Sequence, residues 1–167
     1  VKCGYQGALM VPTEILAEQH YKSIKPLFEK YAISVELLSS SQPKKQKQAV
    51  FEGLRNGSIQ VVIGTHALIE DTIEFHNLGL VVTDEQHRFG VRQRTLLTEK
   101  GNNPDVLVMT ATPIPRTLAL ILYGDLDISI IDQLPPGRKP IKTYSVTEAM
   151  RERVNNFIRQ KVLEGRQ

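Results

Sequence analysis

The sequence predicts an α/β fold: a parallel sheet with helices on both faces, in three α/β/α layers. Two observations predict it. Short, almost wholly apolar runs of strand length alternate with stretches of helical periodicity, which is how a parallel sheet buried on both faces reads. Polar clusters also follow four of the runs: "PT" after Val11, "GTH" after Ile63, "DEQH" after Thr83 and "TATPIPR" after Met109. Doubly wound sheets bind ligands beyond the carboxyl ends of their strands, so four such exits point to one site.

Each element follows from its local pattern. Ala8 to Val11 is the first strand. Thr13 is placed to cap a helix reaching about Tyr31, with Ile24, Leu27, Phe28 and Tyr31 on one face. Pro26 should kink or shorten that helix. Ile33 to Leu38 is the second strand. "SSSQPKKQKQAVFEGLRNG" reads as a loop and then a helix with Val50, Phe51 and Leu54 inward, closed by Gly57. "IQVVIG" and "LGLVVTD" are buried strands, Arg92 to Lys100 a helix and "DVLVMT" a fifth strand. "PRTLALILYG" then gives a helix and "LDISII" a sixth strand. "QLPPGRKP" is a linker by composition. Beyond it "IKTYSV" suggests a strand. Ser145 and Glu148 fit a capping box for a helix striped by Met150, Val154, Phe157, Ile158 and Val162. The boundaries read 1–132 for a first domain, 133–140 for a linker and 141–167 for the start of a second.

At 167 residues, 41% apolar and 23% charged, the chain has the composition of an ordinary globular protein with a sizeable core. A net charge of +3 permits nucleic acid as a partner without demanding it. A single Cys3 excludes an internal disulfide or a cysteine-based zinc cluster, and four histidines are scattered without ligand-pair spacing. No run is long and apolar enough for a membrane span and no signal peptide opens the chain, so a reduced, intracellular protein is expected. The chain opens without a Met, on what reads as the tail of a helix, and stops just past Gly165. Both ends therefore read as cut from something longer.

The chemistry concentrates at the strand exits. "LVVTDE" followed by "QH" fits a Walker B motif: Asp84 would hold Mg²⁺ through water, and Glu85 would polarise the water attacking a γ-phosphate of ATP. Solvated acids capping a strand end are the plainer alternative. Thr110 and Thr112 supply hydroxyls that could bond back to this cluster and relay nucleotide state, or form an ordinary turn ahead of a proline-started helix. Pro12 and Thr13 stand at one helix N-terminus, and Gly64, Thr65 and His66 repeat that arrangement. Two such sites suit the phosphates of a nucleic-acid strand, although Thr13 alone reads as an N-cap. Arg88, Arg92 and Arg94 crowd behind the acids with Phe89 between them. They could meet phosphates while Phe89 stacks on a base, or pair with neighbouring carboxylates. "PKKQKQ" reads as a solvated helix face. No G-x-x-x-x-G-K-[ST] phosphate loop occurs in the chain; in this topology it precedes the first strand.

Taken together, "VPTEILAEQH", "IGTHALIED", "DEQHRFGVRQR", "VMTATPIPRTLAL" and "LPPGRKP" resemble motifs Ia, Ic, II and III and the interdomain linker of superfamily 2 helicases. More closely they resemble the RecG family of bacterial DNA helicases. The resemblance covers nearly the whole chain. It implies a RecA-like domain of P-loop NTPase type lacking its Walker A element, then a linker and a truncated second RecA-like domain. It further implies ATP- and Mg²⁺-dependent translocation on double-stranded and branched DNA by a cytoplasmic, monomeric motor. Asp84 and Glu85 would be the hydrolytic pair, Gln86 and His87 would couple nucleotide to DNA with Thr110 and Thr112, and Thr13 and Thr65 would touch the DNA backbone. The Mfd family of transcription-repair coupling translocases shares "TATPIPRTL", but an acid is expected there where Gln86 stands. A degenerate module that grips DNA without ATP is the other alternative. Serines at "LLSSSQ" stand where the family places a Gly near motif Ib. With no phosphate loop among its residues, the 167-residue chain alone should release no phosphate from ATP above background. A Mg²⁺-dependent, DNA-stimulated rate in a phosphate-release assay would refute this.

Overall fold

The computed structural model describes residues 1–111, 127–133, 135–138 and 141–166, with His87, Val91 and Arg94 described by their backbone only. It divides into two compact units, Val1–Leu122 and Tyr123–Gln167.

In the first unit, β1 (Gln6–Met10), β2 (Val35–Leu38), β3 (Val61–Gly64), β4 (Leu78–Thr83) and β5 (Asp105–Val108) form one wholly parallel sheet in the order β2-β3-β1-β4-β5. The helices are α1 (Glu14–Glu29), α2 (Lys44–Arg55) and α3 (Val91–Thr98). Successive strand residues face opposite sides of a sheet, and the core divides accordingly. On one side Leu9, Val11, Val35, Ile63 and Val82 pack against Ala17, Tyr21, Ile24 and Phe28 of α1. On the other, Ala8, Met10, Leu38, Val62 and Val81 pack with Val50 and Leu54 of α2 and Leu97 of α3. Helices thus cover both faces, and β1, the middle strand, is buried along its whole length. This is the expected layered α/β architecture, and it explains why Ala8–Val11 reads as a continuous apolar run rather than an alternating one.

The strand ends are level. Leu38 pairs with Gly64, Gly64 with Met10, Met10 with Thr83 and Thr83 with Val108, giving one row across all five strands. The hydrogen bonds continue one residue further: Thr65 N donates to Leu38 O at 3.4 Å, Val11 N to Gly64 O at 2.9 Å, Asp84 N to Met10 O at 3.0 Å and Met109 N to Thr83 O at 2.8 Å.

The helices start and stop near the expected residues. Thr13 caps α1, its hydroxyl accepting from Leu16 N at 3.3 Å. The helix runs on to Glu29 past Pro26, so the proline neither ends it nor marks its boundary; the carbonyl it deprives of a donor belongs to exposed Lys22, within reach of water. Gly57 follows α2 at φ +79°, the left-handed turn expected of it. Lys100 ties the end of α3 to the 66–73 segment, its ammonium donating to Glu70 O at 2.8 Å and Ile73 O at 2.9 Å.

Two predicted strands are absent. Residues 127–131 of "LDISII" and residues 141–146, "IKTYSV", form no strand, and Ile130, Ile131, Ile141 and Tyr144 are exposed. Apolar β-branched content makes a strand only where a neighbour accepts its backbone bonds, and no neighbouring strand pairs with either segment among the described residues. In the second unit, α4 (Arg151–Leu163) follows a 3₁₀ turn over Glu148–Met150. The expected capping box from Ser145 does not form: Thr147 stands at the N-cap, and the Glu148 carboxylate pairs instead with Arg151 at 2.8 Å. The stripe of Phe157, Ile158 and Val162 is exposed. The predicted helix at 115–124 lies outside the described residues. Among the described residues no helix is long and apolar enough to cross a membrane.

Gly64 has a specific steric reason to lack a side chain. A Cβ there would collide with the Leu38 carbonyl oxygen and press on Leu68 Cγ at 3.0 Å. Both neighbours belong to the packed row, so neither yields easily. Gly64→Ala is expected to destabilise the fold by about 1–3 kcal/mol, the usual range for overpacking. An unchanged midpoint in chemical denaturation would contradict this account.

Candidate functional site

Alternation along β4 aims the first acid. Val82 faces the α1 side of the sheet, so Asp84, two residues on, leaves the strand toward the same side. There its Oδ2 lies 3.1 Å from Nε2 of His20 on α1. Its Oδ1 accepts from Glu85 N at 2.9 Å. A carboxylate only accepts, so the His20 Nε2 carries the hydrogen. Both oxygens of Asp84 are thereby oriented, and the side chain stays about a fifth exposed.

Glu85 turns the chain. It occupies the left-handed region at φ 50°, ψ 49°, which a residue with a Cβ adopts at a cost of about 1–2 kcal/mol. This bend takes the backbone from β4 into the 3₁₀ turn Gln86–Arg88. The Glu85 Oε2 is shielded from solvent. Gln86 is buried, and its N donates to Met109 O at 3.2 Å, so the "DEQH" turn is stitched to the exit of β5, where half-buried Thr110 follows. His87 contributes its backbone to the turn. Thr112 lies outside the described residues.

A second group gathers at the exits of β1, β2 and β3. Half-buried Pro12 leads into exposed Thr13, which caps α1. Glu14 Oε1 accepts from Ser41 N at 2.9 Å, and these bonds from Ser41 hold the Glu14 carboxyl below the usual carboxylate range. Ser39 and Ser41 hydroxyls lie 3.1 Å apart, and Ser40 Oγ is 3.3 Å from Nε2 of exposed His66. The serines standing where a Gly is expected thus bind α1 to the β3 exit. Gly64 ends β3 and Thr65 follows it, but Thr65 is 2% exposed and its hydroxyl has no hydrogen bond. Thr13 and His66 are exposed at this edge, and the Thr65 hydroxyl is not.

The arginine segment differs from expectation at one residue. Arg88 and Arg92 are exposed, and Arg94 lies on α3. Phe89, expected to stack on a base, is 9% exposed and packs in the core with Met10, Val81 and Leu97. An aromatic between arginines reads as a stacking platform, but burying its large apolar area is worth more than exposing it. His20 is the residue that sequence reasoning misses. The signal is helical spacing: it lies three residues after buried Ala17 and four before Ile24, on the face α1 turns to the sheet.

Among the described residues no three His, Cys, Asp or Glu side chains gather to hold a metal alone. Asp84 is suited to a Mg²⁺ that takes one carboxylate and completes its shell with water and phosphate oxygens.

The Glu14–Ser41 bond makes a separate expectation. Glu14→Ala should speed hydrogen exchange at the Ser41 amide while leaving the β1 amides protected. The folded carboxyl titrates below its unfolded value, so the bond is present above the ordinary glutamate range near ~4.3 and is lost as pH falls through the folded value. Equal Ser41 exchange in variant and parent at neutral pH would rule the clamp out.

A family profile described as "DEAD/DEAH box helicase" matches residues 1–121. The ATP-dependent DNA helicase RecG of Bacillus subtilis (strain 168) is 57% identical over 164 residues, covering 98% of this chain and 24% of that protein. RecG of Aquifex aeolicus (strain VF5) is 55% identical over 167 residues, covering 99% of this chain and 21% of that one. A solved structure of RecG bound to a three-way DNA junction superposes with a TM-score of 0.82 at 51% identity, over 97% of this chain and 22% of that one. The chain therefore spans only about a quarter or less of the length of these relatives. Fold, strand-exit acids and whole-chain similarity agree: the chain belongs to the DEAD/DEAH box helicase family, and along nearly all of its length it is similar to RecG helicases.

Proposed function

We propose that this chain serves in an ATP-dependent DNA helicase that remodels branched DNA, contributing the hydrolytic acids and part of the DNA track. The observation that carries this reading is the pair Asp84 and Glu85 at the end of β4, in a chain similar over nearly its whole length to RecG. The name of the solved RecG complex, bound to a three-way DNA junction, supports branched DNA as the partner. We place the protein in the cytoplasm, where such DNA is met, and read the motor as a monomer.

The residues present divide the work. A Mg²⁺ bound with ATP would supply positive charge against the charge developing on the phosphoryl oxygens. Asp84 offers it a carboxylate whose direction is fixed by Glu85 N and His20. Glu85 polarises a water and takes its proton. Gln86 and His87 lie in the turn bonded to the β5 exit, and with Thr110 and Thr112 they pass the state of the site to the DNA track. Pro12, Thr13 and His66 form that track along the strand exits, with Gly64 and buried Thr65 shaping its floor rather than offering a hydroxyl, and Arg88, Arg92 and Arg94 add positive charge for phosphates. The phosphate-cradling loop is not among these 167 residues, so the acids here are one part of the nucleotide site.

Glu85→Gln in the full-length gene product keeps size and hydrogen-bonding capacity but removes the base. It should lower DNA-stimulated ATP turnover by roughly 10²-fold or more while nucleotide binding stays close to the parent's. Steady-state rates alongside binding of a fluorescent ATP analogue measure both, and comparable turnover in the two proteins would remove Glu85 from this role.

A further inference from the structure

One contact at the site carries out no chemical step in the hydrolysis described above but touches the acid that does: the hydrogen bond from His20 to Asp84. We propose that His20 is a positioning residue which sets the direction of the Asp84 carboxylate and ties it to helix α1, so that α1 links the DNA-facing strand exits to the metal-binding acid. The inference rests on the reading of Asp84 as the Mg²⁺ carboxylate.

Three observations carry it. The first is geometric: His20 Nε2 and Asp84 Oδ2 are 3.1 Å apart, bridging α1 to the first residue beyond β4, 64 positions along the chain. The second is the surroundings. The sheet-facing side of α1 is otherwise mostly apolar, with Ala17, Tyr21, Ile24 and Phe28 in one core cluster with Leu9, Val11 and Val82 and the Tyr21 hydroxyl taken up by Lys25. A polar ring on that side needs a partner, and the side chains are only 30% and 21% exposed, so the bond is partly sheltered from competing water. The third is what else α1 holds. Its N-terminus carries the Thr13 cap and the Glu14 bond to Ser41, and Ser40 reaches His66. His20 lies seven residues from Thr13, about 10 Å along one rigid helix. A shift of α1 against the sheet would therefore move the DNA-facing cap and the Asp84 oxygen together.

Partners of this kind fix a ligand's orientation, and losing them usually weakens metal affinity or activity 10–100-fold. The test uses the full-length gene product and three variants. His20→Leu keeps bulk and removes the donor; His20→Gln restores an N–H at similar reach; Asp84→Asn probes the acid itself. The readout is the Mn²⁺ concentration giving half-maximal binding of a fluorescent ATP analogue, with DNA-stimulated turnover and melting temperature alongside.

His20→Leu should raise that concentration on the order of tenfold or more with an unchanged melting temperature, and His20→Gln should return it most of the way to the parent value. A parent-like His20→Leu beside a shifted Asp84→Asn would overturn this role and leave Asp84 in place. An unshifted Asp84→Asn would overturn the reading of Asp84, and this inference with it. Equal losses in both His20 variants, accompanied by a lower melting temperature, would reduce His20 to packing and overturn the proposal.

Discussion

Everything at this site depends on the level carboxyl edge of the sheet. Parallel strands need not end together, and here they do: one row of register partners is followed by a second row of backbone bonds outside the strands proper. Asp84 N on Met10 O belongs to that second row. So do Thr65, Val11 and Met109, which precede or begin the other polar exits. Residues 11, 65, 84 and 109 are far apart in sequence, yet backbone geometry holds them in line at strand spacing, about 4.8 Å from one neighbour to the next. The functional groups are ordered by the ladder before any side chain contributes. Gly64 shows how little slack the row contains.

The site then departs from ideal backbone where chemistry asks for it. A residue with a Cβ in the left-handed region is strained, and glycine at 85 would relax the turn. Glycine would also delete the second acid. The strain is retained because neighbours fix it: Gln86 N is held on Met109 O, and Phe89 N on Gln86 O at 3.0 Å. Local discomfort overruled by surrounding bonds is a common property of functional turns. Here the same bonds connect that turn to the next strand exit.

Much of this is legible in the sequence, for definable reasons. Five strands and three helices of the first unit follow from apolar runs and helical periodicity, because most are buried on the faces their patterns announce; β5 is the exception, with Val106 and Leu107 exposed. The alignment of "DEQH" with the β5 exit is also legible, since strand order in such sheets brings their ends together. Three things are not. The expected strands do not form over the described residues 127–131 and 141–146, because β propensity states what a segment tolerates and not whether a partner lies beside it. Phe89 reads as outward because sequence neighbours do not reveal which way a turn rotates a ring. His20 escapes notice because its partner is 64 residues away, and local spacing carries no record of tertiary contact.

Phe89 bears on more than its own assignment. Its ring belongs to the core cluster that includes Met10, Val81 and Leu97, while Arg88 beside it in sequence and Arg92 on the helix that follows are exposed. The ring therefore works as a pin through a basic strap. With the pin seated, the backbone that carries Arg88 and Arg92 is held by core packing, and both side chains extend from it into solvent. Hydrophobic packing thereby fixes where two exposed positive charges leave the chain, and a change in the core beneath would move them.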